Sequence, residues 1–177
     1  MRMLALLTGA TALAACNQSQ PAAESPPAAE VPNAQFEARV NIAKVDPAKA
    51  KAVMHERHEG MEKIGKLMKQ LSRDIKVEPL NLAAIAPVAA SMQVLAEKSG
   101  DWFPAGTGPN VGKTQAKAEI WQKPQDFAAK TAAFQKAAGA FQAAASKGNA
   151  AATKAAFGDL GKSCKACHDS YRSKDKY

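Results

Sequence analysis

The chain has 177 residues, 6% of them aromatic and few of them β-branched, and this length and composition predict a single all-α domain rather than a β-sheet fold. Three cysteines are too few for a disulfide framework. The formal net charge of +8 comes from lysines scattered along the chain without an aromatic-studded basic patch, which argues against nucleic acid as a partner.

Residues 1–15 have the pattern of an export signal. Arg2 precedes an apolar run that is too short to span a bilayer in the mature protein, and the run ends in Leu13-Ala14-Ala15-Cys16. This ending resembles a bacterial lipobox and predicts a lipoprotein signal peptide with a lipid on Cys16. An ordinary signal peptide cleaved near the same alanines is the alternative, and both predict a periplasmic protein. By the same resemblance, Asn17 favours the outer membrane.

Residues 16–33 predict a tether between the lipid and the folded domain. Four prolines and many small residues give this stretch no means of forming a core. The domain itself is predicted over residues 34–177. Its first part, residues 34–45, is compatible with a short helix or with an extended segment.

Four main helices are predicted in this domain. Asp46-Pro47 has the N-cap and first-turn proline of a helix start, and an apolar stripe follows it. In the second helix Pro87 leaves two starts open, Leu82 or a residue nearer Ala86. Short links predict an antiparallel four-helix bundle. The predicted ranges are about 46–75, 82–98, 124–146 and 150–173.

Two features interrupt the helical pattern. A long loop is predicted at 101–113, where three glycines and two prolines occur, and a short helix is predicted at about 116–122. In the first helix, Gly60 and Gly65 either permit close approach of another group or are simply tolerated.

The sequence Cys164-Lys165-Ala166-Cys167-His168 in the last helix has three interpretations. Zinc binding would need two more ligands, for which His55 and His58 are the remaining histidines. A thioredoxin-like dithiol pair belongs to a βαβ setting, which this chain lacks. The third interpretation is covalent attachment of c-type haem, for which C-x-x-C-H is the signature. Two thiolates add to the haem vinyl groups, and the adjacent histidine reaches the iron.

Several stretches resemble the cytochrome c′ and class II cytochrome c family. The resemblance covers about residues 46–174. It rests on Arg57-x-x-x-Met61 with Ile64-Gly65, on Phe103-Pro104-Ala105-Gly106-Thr107-Gly108, on Ala118-Glu119-Ile120-Trp121 with Phe127, and on the C-x-x-C-H motif with Tyr171-Arg172.

The resemblance implies one covalently attached haem c per chain, with thioethers at Cys164 and Cys167 and His168 as the proximal iron ligand. It implies that Arg57 lies near a haem propionate; a surface arginine is the alternative. Met61 is either the sixth iron ligand or a core residue covering the iron.

Two further residues have open interpretations. Arg172 would lie near the proximal ligand, or act only as a cation at the helix end. His58 could approach the same face of the haem as Met61, but the family pattern does not require a histidine there.

Two functions follow from the resemblance. The first is electron transfer with unidentified redox partner proteins by Fe(III)/Fe(II) cycling, which requires no catalytic residue and is not an enzyme activity. The alternative is binding of nitric oxide or carbon monoxide at a five-coordinate iron. A homodimer and attachment to a membrane through the lipid are further expectations, and a structural or zinc lipoprotein without haem is the third hypothesis.

Overall fold

The computed structural model describes residues 45–175, and this part of the chain is helical without a β-strand. The predicted antiparallel four-helix bundle is confirmed, with α1, α2, α4 and α5 as its long helices. The elements are α1 (Pro47–Asp74), α2 (Leu82–Lys98), a 3-10 helix (Ser99–Trp102), the short α3 (Glu119–Gln122), α4 (Pro124–Ser146) and α5 (Ala150–Tyr171).

Some expectations fall outside this range. The signal peptide at 1–15, the lipid on Cys16, the tether at 16–33 and the first residues of the domain, 34–44, lie outside the described residues. None of the helices between residues 45 and 175 is long and apolar enough to cross a membrane.

Side-chain caps fix where three of the long helices begin. Asp46 accepts a hydrogen bond from the Ala48 amide at 2.8 Å, and Asn149 accepts one from the Ala152 amide at 2.9 Å. Asn81 accepts one from the Ala84 amide at 3.1 Å, so α2 begins at Leu82. The alternative start near Ala86 is therefore wrong, and the exposed Pro87 lies within the helix.

Two predicted helix limits are wrong for one physical reason. α3 begins at Glu119 rather than near Ala116, and α5 ends at Tyr171 rather than near Ser173. Ala116 instead pairs with Arg172 in an isolated antiparallel bridge, and the Lys117 amide donates to the Tyr171 carbonyl at 3.0 Å. These long-range bonds replace the helical bonds that local sequence would favour.

The main core lies among α1, α2, α4 and α5, where α2 packs on α1 and α4, and α4 packs on α5. Its fully buried large side chains are Leu71, Ile85, Met92, Phe141 and Leu160. A smaller cluster consists of Ile120 from α3, Phe127 from α4 and Tyr171 from α5, and Phe103 packs against both clusters.

Gly60 allows the 3-10 helix to pack directly on α1. A Cβ atom at Gly60 would overlap the indole ring of Trp102, which is buried. Of the two explanations for this glycine, close approach is therefore the right one. The contact fixes the start of the loop predicted at 101–113, whose first two residues belong to the 3-10 helix.

We expect Gly60→Ala to lower the free energy of unfolding by about 1–3 kcal/mol, because the indole ring must move away from a well-packed site. Gly139→Ala is the matched control, since a Cβ there meets nothing within 4 Å and the better helix propensity of alanine should stabilise α4 by up to about 1 kcal/mol. Denaturant unfolding followed by circular dichroism measures both. Equal stability of the two variants would contradict the packing argument.

Candidate haem-binding site

A cavity of about 540 Å³ opens between α1 and α5, within the size range of cofactor pockets. Apolar side chains dominate its walls. From α1 it is lined by Arg57, His58, Met61, Glu62, Ile64, Gly65 and Met68, and from α5 by Gly161, Cys164, Cys167, His168 and Tyr171. Phe103, Ile120, Phe127 and Phe134 are among the lining residues from the other elements.

Two glycines in the cavity walls leave room for a group to lie against the helix backbone. Gly65 on α1 and Gly161 on α5 both line the cavity, and a Cβ atom at either position would meet nothing within 4 Å. A flat cofactor can therefore approach both helices closely. The volume, the apolar walls and the two glycines together fit a haem.

The helical spacing of the C-x-x-C-H motif brings its three chemical groups to one face of α5. Residues three and four apart are neighbours on a helix, so Cys164, Cys167 and His168 all line the cavity. Cys164 packs against the main core and Cys167 against the small cluster. Both thiols are free and half-buried, as attachment points inside a cavity must be.

The electrostatics argue against dithiol redox chemistry. Burial raises the pKa of the Cys164 thiol, and burial together with the neighbouring Cys164 raises the pKa of Cys167 to about 11. Redox-active cysteine pairs need a lowered thiol pKa. The thioredoxin-like interpretation therefore has no support in this geometry.

Zinc binding lacks its ligands as well. Residues 45–175 contain no group of three or more His, Cys, Asp or Glu side chains placed to hold a metal ion. His55 and His58 instead point along α1, each with its Nε2 atom 3.6 Å from an oxygen of Glu59 or Glu62 respectively.

The surroundings of His168 favour the neutral form of its imidazole. Burial lowers the pKa of its imidazole, and the positive charge of Arg172 lowers it further. The neutral ring with an available nitrogen is the form that binds iron. The exposed side chain of Arg172 lies just after the end of α5, and both interpretations of this residue stay predictions.

Arg57 is not a surface arginine, and that alternative is wrong. Only 4% of it is exposed, and it lines the cavity. Its Nη1 donates to the Trp102 carbonyl at 3.3 Å and to Thr107 Oγ1 at 3.1 Å. Its Nη2 donates to the Thr107 carbonyl at 3.0 Å and to Thr114 Oγ1 at 3.1 Å. These acceptors compensate the cost of burying the charge.

Aromatic rings cover the guanidinium of Arg57 as well. Its Cζ lies 5.1 Å from the ring centroid of Phe103 and 5.8 Å from that of Trp121, within the range of cation–π attraction. The position of Arg57 in the cavity wall is compatible with a contact to a haem propionate, which stays a prediction.

The candidate distal residues differ in exposure. Met61 is half-buried and lines the cavity from α1, with Ile64 and Met68 beside it. His58 also lines the cavity, but 55% of its side chain is exposed. His55 is more exposed still, at 74%. Met61 is therefore the least exposed of these residues, and its role as an iron ligand stays a prediction.

Sequence reasoning missed the polar partners that hold this site. Thr107 is fully buried and donates to the Pro104 carbonyl at 2.8 Å, and the hydroxyl of Tyr171 donates to the carboxylate of Asp126. That bond is the main cause of a lowered pKa at Asp126, while burial and the same carboxylate raise the pKa of Tyr171. A buried arginine needs acceptors, and the threonines of the loop were the available signal.

Comparison with known proteins gives one consistent family. A family model described as cytochrome C′ matches residues 52–172. A cytochrome c′ from Alcaligenes xylosoxydans xylosoxydans is 42% identical over 90 residues, which are 50% of this chain and 69% of that protein. A cytochrome c′ from Pararhodospirillum photometricum is 35% identical over 126 residues, 71% of this chain and 99% of that protein.

Solved structures agree with this result. A cytochrome c′ with ligand-controlled dimer dissociation is similar with a TM-score of 0.65 at 30% identity, over 75% of this chain and 100% of that one. A ferrous variant of cytochrome c prime from Alcaligenes xylosoxidans with bound NO is similar with a TM-score of 0.64 at 30% identity, over 75% of this chain and 98% of that one.

Proposed function

The chain belongs to the cytochrome c′ family, whose members carry covalently attached haem c, and from this premise we propose that it carries single electrons by Fe(III)/Fe(II) cycling. The observation that carries the proposal is the shared cavity, which α5 lines with His168 and α1 lines with Met61. Each of these two helices thus offers at least one side chain that can bind iron. A carrier of this kind needs no catalytic acid, base or nucleophile.

Three residues of α5 hold the cofactor in this proposal. The sulfur atoms of Cys164 and Cys167 form thioether bonds to it, and the neutral imidazole of His168 binds its iron. The bound haem supplies the redox chemistry. The position of the two cysteines and the imidazole supports the assignment, because all three are half-buried and line the same cavity.

Met61 is the sixth ligand in the proposed electron carrier. Its thioether is a soft donor on a flexible side chain, and Met/His ligation raises the reduction potential of haem iron. The redox partners are proteins still to be identified. An acidic docking surface suits them, because removal of residues 1–15 leaves this basic chain with a net charge of +7, one unit below the full chain.

A second function, binding of nitric oxide or carbon monoxide, has its own support. The cavity wall on the α1 side is apolar at Met61, Ile64 and Met68. If Met61 covers the iron without binding it, small uncharged molecules can reach the iron from this side. A similar solved structure holds NO, and another describes a dimer that dissociates under ligand control. Gel filtration with and without nitric oxide would test a homodimer of this chain.

We also place the protein in the periplasm, held to a membrane by a lipid on Cys16. The apolar run that ends in Leu13-Ala14-Ala15-Cys16 and the proline-rich stretch behind it support this location. Attachment at a membrane would concentrate the carrier near its partners.

Replacement of both Cys164 and Cys167 by alanine should abolish covalent attachment, and each single replacement should leave one thioether. Purified protein from a host that matures c-type haem is denatured, and haem remaining on the polypeptide is measured by the pyridine haemochrome spectrum. Ser163→Ala is the control, since Ser163 precedes Cys164 on α5 but carries no thiol, and its hydroxyl donates to the Leu160 carbonyl. A negative haemochrome test on the wild-type protein would refute both haem functions.

Replacement of Met61 by alanine should convert a low-spin absorption spectrum to a high-spin one. The oxidised wild-type protein should show the long-wavelength charge-transfer band of Met–haem ligation, and the variant should lose it. Met68→Ala is the control, because Met68 lines the same cavity and packs against the core.

Two other outcomes of this experiment are informative. A high-spin wild-type spectrum that changes on addition of nitric oxide would favour gas binding. A low-spin spectrum retained in Met61→Ala would exclude Met61 as the ligand and make His58 the candidate.

Replacement of Cys16 by serine should release the protein from the membrane fraction and abolish incorporation of labelled palmitate. Asn17→Asp is the companion variant, which should keep the lipid and move the protein from the outer to the inner membrane, as in other bacterial lipoproteins. If the wild-type protein is recovered in the soluble periplasmic fraction and carries no palmitate label, the lipid anchor is contradicted.

A further inference from the structure

Residues 114–117, which we name the strap, connect α1 to the end of α5 by hydrogen bonds. The strap begins at Thr114, whose Oγ1 accepts one bond from Arg57 Nη2 at 3.1 Å and another from the Ala116 amide at 3.1 Å. The buried guanidinium of α1 therefore holds the side chain that shapes the strap. These contacts join a residue of the cavity wall to a segment 57 positions later in the sequence.

The other end of the strap pairs with the residues that follow the C-x-x-C-H motif. Ala116 and Arg172 form an antiparallel bridge, the Lys117 amide donates to the Tyr171 carbonyl at 3.0 Å, and the Ser173 amide donates to the Gln115 carbonyl at 2.8 Å. The Arg172 amide in turn donates to the His168 carbonyl at 3.0 Å. A continuous set of bonds thus leads from Arg57 to the backbone of His168.

The strap lies at the part of α5 that local interactions stabilise least. The last turn of a helix has carbonyl groups without intrahelical partners, and helix ends fray for this reason. His168 is in this last turn, because α5 ends at Tyr171. By supplying a donor to the Tyr171 carbonyl and pairing with Ser173, the strap opposes fraying at the turn that holds the imidazole.

We propose that Arg57 and Thr114 are positioning residues for His168, and that they act through the strap to hold the last turn of α5 at a fixed place across the cavity from α1. The proposal rests on the assignment of His168 to the iron made above. It gives Arg57 a role in the iron environment that does not depend on contact with the cofactor.

The shape of the Arg57 side chain matters in this proposal more than its charge. Its two terminal nitrogens bond to Trp102, Thr107 and Thr114 at once, which the single ammonium group of a lysine does not reproduce. A role limited to pairing with a propionate would instead be retained in part by lysine. Arg57→Lys therefore distinguishes the two roles, with Arg73→Lys on the exposed end of α1 as its control.

Thr114→Val provides the test that leaves Arg57 in place. It removes the hydroxyl from the path with little change in shape. Thr131→Val is the matched control, because Thr131 also lines the cavity but its hydroxyl donates only to the Phe127 carbonyl within α4. All variants are made as holoprotein in a Met61→Ala background. In this background His168 is the only residue to which we assign a bond to the iron.

Two measurements are made on each variant. Hydrogen exchange of peptides covering 114–117 and 171–175 reports the strap. We expect about thirtyfold faster exchange in Thr114→Val, because the hydroxyl accepts two hydrogen bonds and each contributes about a fivefold factor net. The Fe–His stretching band of the ferrous protein, by resonance Raman, reports the iron ligand. We expect it to shift in Thr114→Val and Arg57→Lys and to stay unchanged in Thr131→Val and Arg73→Lys.

The outcomes separate this proposal from the function on which it rests. Faster exchange with an unchanged Fe–His band would overturn the positioning role and leave the strap as a purely structural feature. A normal Fe–His band and normal exchange in Arg57→Lys would overturn it too. In a background protein whose ferrous spectrum is high-spin, absence of an Fe–His band would refute the assignment of His168, whatever the exchange data show.

Discussion

The buried guanidinium of Arg57 is the interaction on which the cavity side of this bundle depends. A charge in the protein interior must be surrounded by acceptors, and local helical structure cannot supply them to a side chain of α1. The segment between α2 and α3 supplies these acceptors: two backbone carbonyls, of Trp102 and Thr107, and two hydroxyls, of Thr107 and Thr114. Packing of Trp102 against Gly60 brings the loop to the right place, so a packing contact and a polar one stabilise each other.

The bundle has a packed core and, between α1 and α5, a cavity, and the two regions have different roles. Leu71, Ile85, Phe141 and Leu160 are fully buried in the core, as a stable helical domain requires. Between α1 and α5, Gly65 and Gly161 have no Cβ atom and leave space along the cavity walls. A cofactor held there completes the apolar interior, so the family's haem is both the chemical centre and part of the packing.

The sequence predicted those parts of the structure that depend on interactions between residues close together in the chain. Capping residues and apolar periodicity located the four long helices, and the spacing of Cys164, Cys167 and His168 identified the face that lines the cavity. Contacts distant in sequence were not predictable in this way. Nothing in the sequence near Ala116 indicates that its partner is Arg172. The burial of Arg57 likewise depends on acceptors that lie 45 to 57 positions later in the sequence.

The enclosure of the two thiols has a consequence for their reactivity. Burial raises the pKa of both Cys164 and Cys167, so the folded cavity disfavours the thiolate, which is the reactive form of a cysteine. The same walls that would hold the cofactor therefore make the sulfur atoms that attach it less reactive.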